Sequence, residues 1–131
     1  IAFAWIDDMI GSKRTIIISV LAIAILGTLL LFFEDKSIFY ILAALLGIFI
    51  GPTQAASRTM MARLAPSNMQ TEFFGIYAFS GKATAFIAPF LVGVLTLQFD
   101  SQRIGMAVIP VIMLIGLAIF LRVKEPARRT T

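Results

Sequence analysis

Apolar residues run along this chain in four long blocks separated by short polar stretches. The blocks cover roughly residues 15–33, 37–56, 73–99 and 104–121. A helix of ~20 residues rising ~1.5 Å per residue crosses a hydrocarbon core of ~30 Å, so each block is long enough to span a bilayer. A soluble protein rarely buries even one helix this long and apolar. Four of them in 131 residues would leave no surface for water. The pattern predicts an all-α integral membrane protein with four transmembrane helices. Residues 1–6 are also apolar and end abruptly at Asp7 and Asp8. They read as the last turns of another membrane helix whose beginning is missing, so the chain is read as a C-terminal fragment of a longer protein.

The connections are short. Residues 7–14 form the first, 34–36 a tight acidic turn, 58–72 the longest loop, and 100–103 the last turn before a basic tail at 122–131. Pro66-Ser67-Asn68 marks a turn in the long loop, and Ser67 with Gln70 fits a capping box ahead of the third helix. Lys13, Arg14, Arg58, Arg63, Arg122, Lys124, Arg128 and Arg129 all fall on one side of the predicted topology. Lys36 and Arg103 alone fall on the other, and Lys82 lies within a span. The positive-inside rule then places 7–14, 58–72 and the tail in the cytoplasm.

Composition sharpens the picture by exclusion. The apolar fraction is 60% and the charged fraction 14%, against ~45–50% and ~25% in soluble domains. Cysteine and histidine are both absent. That removes disulfides, thiolate metal sites and the commonest general base, so neither an enzyme nor a metal or cofactor site is expected. The net charge of +4 sits in the flanks of the membrane spans, which accounts for it without nucleic acid.

Polar residues inside the spans are the candidates for function. Gly51-Pro52 interrupts the second block and is followed by Thr53, Gln54, Ser57 and Arg58. Proline removes a backbone donor, so a kink beside an aqueous path is expected there. The third block carries Tyr77, Ser80, Gly81, Lys82 and Thr84 as one polar patch. A charge near the middle of a bilayer costs ~2.5–3.5 kcal/mol on insertion scales, so Lys82 should face a cavity or a partner. Small residues at Gly47, Gly51 and Ala55, and at Gly81, Ala85, Pro89 and Gly93, predict faces for close helix packing.

The segment from Ala4 to Arg14 resembles the loop motif of the major facilitator superfamily, with Asp8, Gly11, Lys13 and Arg14 carrying the likeness. Ala4 and Met9 depart from it. Residues Gly51–Arg58, Arg63–Pro66 and Glu72–Thr84 look like the vacuole-effluxer branch of that superfamily, which includes autophagy-related amino-acid effluxers and bacterial relatives. The resemblance implies a 12-helix fold with a central cavity, of which helices 9 to 12 would be present here behind the end of a fifth. It implies a secondary transporter of a small polar solute, with amino acids the first guess, working by alternating access in a bacterial inner membrane. Its partners would be the lipid bilayer, the solute and the missing N-terminal helices. Lys82, Gln54, Arg58 and Tyr77 would line the substrate path, and Arg58 with Glu72 would form a gate ion pair. Asp8, Lys13 and Arg14 would latch one half-bundle to the other. The alternative is a non-transporting membrane scaffold or subunit.

Overall fold

The computed structural model describes Trp5 and residues 8–125. The expected end of a preceding helix at 1–6 lies outside these residues apart from Trp5. Four long helices account for the described elements: α1 (Ser12–Phe32), α2 (Lys36–Leu64), α3 (Gln70–Phe99) and α4 (Gln102–Leu121). All four are long and apolar enough to cross a membrane.

The helix ends follow local chemistry. Residues 8–10 are already helical, and Gly11, at φ 98°, is the break before α1. Asp35 caps α2 by accepting from the backbone N–H of Ser37 at 2.9 Å. α2 continues through Pro52 to Leu64, so Arg58 and Arg63 lie on a helix and not in the loop that the sequence pattern suggested. The residues Met60 to Leu64 are strong helix formers, and the stop comes only at Ala65. Ala65 precedes Pro66 and adopts φ −71°, ψ 129°, the extended conformation that a following proline imposes.

The remaining link is a turn closed by the Met69 N–H donating to the Pro66 carbonyl at 3.0 Å. The capping box expected from Ser67 and Gln70 is not formed: α3 starts at Gln70 behind Met69, with no side-chain cap. A box needs the glutamine at the third helical position, and here it holds the first. α3 ends at Asp100, which adopts the left-handed conformation at φ 48°, ψ 36°.

The helices form an open arc in the order α2, α1, α4, α3. α1 packs along α2 and α4, α4 packs on α3, and α2 and α3 touch only sparingly. The core joins Ile16 of α1 to Ala56 and Met60 of α2, with Val20, Phe120 and Val123 against it. Ser12, Thr15 and Ser19 lie buried along α1 beside Ile16. Such small polar side chains let two helices approach closely in lipid, where packing, not water exclusion, drives association.

The small-residue stripes expected to pack do not do so among the described residues: Gly47, Gly51, Gly81 and Gly93 have nothing within 4 Å of an added Cβ. The close crossing uses Gly105, where a Cβ would collide with Thr96 Oγ1 and meet the Val92 carbonyl oxygen at 2.7 Å. One of those neighbours is backbone and cannot rotate away. Gly105→Ala should therefore destabilise the protein by about 1–3 kcal/mol, the usual cost of overpacking. Thermal unfolding in detergent would check this, with Gly116→Ala, which meets nothing within 4 Å, as the near-neutral control.

Candidate functional site

The polar residues that sequence reasoning grouped together fall on distinct surfaces. On α2, Pro52, Ala56 and Met60 are buried at four-residue spacing. At ~100° per residue, Gln54 and Arg58 lie roughly 160° from Ala56, opposite the packed stripe. Gly47 and Gly51 fall on the same side. Gln54 and Arg58 are exposed, and their side chains make no hydrogen bond or ion pair with the other described residues.

On α3 no residue is buried. Tyr77 and Lys82 are five positions apart, which places them roughly 140° apart around the helix. The polar patch is therefore two faces. Tyr77, Ser80 and Thr84 share one, with the Ser80 hydroxyl donating to the Tyr77 carbonyl at 2.8 Å and the Thr84 hydroxyl to the Ser80 carbonyl at 2.8 Å. Lys82 is exposed on the other and has no side-chain partner among the described residues. It stands about 18 Å from the start of a helix about 45 Å long. Glu72 is also exposed and pairs with no other described residue, so the expected Arg58–Glu72 pair is not made in this conformation.

Among the described residues the one ion pair joins Arg103 to Glu34 at the opposite end of the bundle, tying the α3–α4 turn to the α1–α2 turn. Both side chains are largely exposed, so the pair contributes little to stability. Nearby, a hollow of about 490 Å³ is lined by α1, α2 and α4, including Gly27, Phe39, Ile50 and Pro110. None of Gln54, Arg58, Tyr77 or Lys82 lines it. Its lining is mostly apolar, with Gln102 and Arg103 at its edge as the polar members, so it has few groups with which to recognise a polar solute.

The loop motif is where the described residues are tied most tightly. Asp8 and Arg14 are exposed, while Gly11 is buried. The Lys13 ammonium donates to the Leu121 carbonyl at 3.0 Å, and the Lys13 backbone N–H to Glu125 Oε1 at 3.5 Å. Arg63 Nη1 donates to Ser12 Oγ at 3.2 Å. Sequence reasoning missed Ser12, Arg63 as a packing residue, and Glu125. The one legible signal was Glu125 itself, the sole acid in a basic tail.

Residues 17–130 match the family model described as vacuole effluxer Atg22 like. Autophagy-related protein 22 of Cryptococcus neoformans var. neoformans serotype D (strain B-3501A) is 32% identical over 91 residues, covering 69% of this chain and 17% of that protein. The uncharacterized MFS-type transporter YxiO of Bacillus subtilis (strain 168) is 26% identical over 125 residues, covering 95% of this chain and 29% of its own length. The chain thus spans less than a third of either relative. No solved structure matches.

Arg63 and Arg58 sit five residues apart on α2, roughly 140° around the helix, and differ in what they hold. Arg63→Ala should cost about 1–2 kcal/mol, because a half-buried charge-assisted hydrogen bond is lost. Arg58→Ala should leave the melting temperature nearly unchanged. Paired thermal melts in detergent would check the difference. Four helices able to span a membrane, a match over most of their length and relatives among membrane transporters together place this chain in the vacuole effluxer Atg22-like family.

Proposed function

We propose that the chain is the C-terminal part of a longer secondary transporter that moves a small polar solute, with amino acids the first candidates, by alternating access between two half-bundles. The observation that carries this reading is Lys82. It is an exposed ammonium without a partner among the described residues, standing near the middle of an apolar span. Such a charge is costly in lipid and becomes affordable only in a wet cavity or against an acid. An ammonium in a cavity attracts a carboxylate, which suits an amino-acid solute.

Gln54 and Arg58 support the same reading. They project from α2 away from its packed stripe, on the side where Gly47 and Gly51 leave room for close approach by further helices. Tyr77 lines the path only if the cavity reaches around α3 to its second polar face. Arg58 and Glu72, apart here, would pair only in a state that brings α2 and α3 together, as a gate does. Asp8 and Arg14, exposed beside the motif glycine, are free to engage the other half-bundle. The charge distribution supports an orientation with the motif and the α2–α3 turn in the cytoplasm.

Two experiments test this. On a cysteine-free background, an impermeant thiol reagent should label Ser37→Cys in intact cells and spare Ser67→Cys; the reverse pattern would overturn the orientation. In vesicles carrying the full-length parent, Lys82→Met should insert and melt like wild type yet lose uptake of a radiolabelled amino-acid mixture. Wild-type uptake by Lys82→Met would remove the cavity role.

A further inference from the structure

Helix ends leave orphan groups. The first N–H groups of a helix point out of its N-terminus and the last carbonyls out of its C-terminus, with partial positive and negative charge respectively. α1 has no acid in its first turn, and its cap, Gly11, has no side chain to accept from it. α4 has no basic residue in its last turn. Both ends therefore lack their usual charged complement from within their own helix.

The fold brings these two ends together. α1 begins where α4 finishes, and each supplies what the other lacks. Glu125, four residues beyond α4, accepts from the first-turn N–H of Lys13 at 3.5 Å. The Lys13 ammonium in turn donates to the terminal carbonyl of α4, on Leu121, at 3.0 Å. We propose that Glu125 and Lys13 form a reciprocal staple between the start of α1, at the motif, and the end of the last helix, with Glu125 a positioning residue for transport. That positioning role rests on the transport reading above; the staple does not.

Gly11 is the third part of the device. A Cβ there would sit 3.0 Å from Glu125 Oε1 and 3.3 Å from Glu125 Oε2, on a backbone whose φ of +98° already disfavours a side chain. The glycine lets the carboxylate close over the start of α1. The staple also divides the labour of the loop. Lys13 is engaged inside this half-bundle, so Asp8 and Arg14 are the charges left to meet the other half. The start of α1, held at a fixed angle to α4, would carry Arg14 with it when the bundle tilts, with Asp8 just across the Gly11 break. Loosening it should slow reorientation and leave solute affinity alone.

The test compares Glu125→Ala and Glu125→Gln in the full-length parent. Hydrogen exchange should rise about fivefold at the first-turn amides of α1 in Glu125→Ala, the size expected for a lost N-cap. Exchange at the outer ends, around residues 30–40, should not change. Glu125→Gln keeps an acceptor oxygen and should stay close to wild type. With the radiolabelled amino-acid mixture, Glu125→Ala should lower the maximal flux severalfold at unchanged KM, and Glu125→Gln should restore most of it. Unchanged exchange in Glu125→Ala, or an equal rise along all four helices, would overturn the staple. Local loosening with wild-type flux would overturn the positioning role. A wild-type parent without flux would refute transport, and with it the positioning role, while the exchange data still decide the staple.

Discussion

Everything in this chain follows from its solvent. Hydrocarbon cannot hydrogen-bond, so a segment that crosses it must pair its backbone groups internally, and a lone segment can do so only as a helix. The same rule governs the hydroxyls. Thr28 donates to the Ala24 carbonyl at 2.7 Å, Thr53 to Phe49 at 2.7 Å and Ser57 to Thr53 at 2.7 Å, each reaching back one turn along its own helix. These side chains carry their own satisfaction with them and need nothing from a neighbour. Charged groups cannot do this, which is why they gather at helix ends or mark places that lipid does not reach.

Lipid also removes the hydrophobic drive that would press one helix on another, leaving shape to decide the packing. The buried row of Ser12, Thr15, Ile16 and Ser19 lets α1 lie against Ala56 and Met60 of α2. Gly105 does the same for α4 against α3. The arc then runs α2, α1, α4, α3, and the two helices that carry the unpaired polar groups touch each other only sparingly.

The spans were legible because length and apolarity are all a bilayer demands of them. Their ends were not. Arg58 and Arg63 looked like loop residues because charge usually leaves the membrane, yet a helix can protrude beyond it, and Pro66, not the first arginine, ends α2. The glycine stripes were visible but not their partners, since a small-residue face shows that something can approach without showing what does. The ties around the motif were invisible for another reason. They link Lys13 to Leu121 and Arg63 to Ser12 across more than 100 and about 50 residues of chain, and no local spacing encodes such pairs.

The polar patch of α3 illustrates how geometry sorts residues that sequence proximity lumps together. Ser80 and Thr84 share one face, and their hydroxyls are bonded to their own helix. Those two hydroxyls can rest against apolar neighbours at little cost. Lys82 lies roughly 160° from both, by helical geometry. Its ammonium carries three donors that no backbone turn absorbs, and none is met among the described residues. The two faces therefore make opposite demands on their surroundings. The same contrast holds on α2, where Thr53 and Ser57 satisfy themselves while Gln54 and Arg58 do not. Polarity alone would rank all of these residues together. Asking which of them can complete their hydrogen bonds without leaving their own helix leaves Lys82, Gln54, Arg58 and the Tyr77 hydroxyl as the groups that require water, solute or another protein segment.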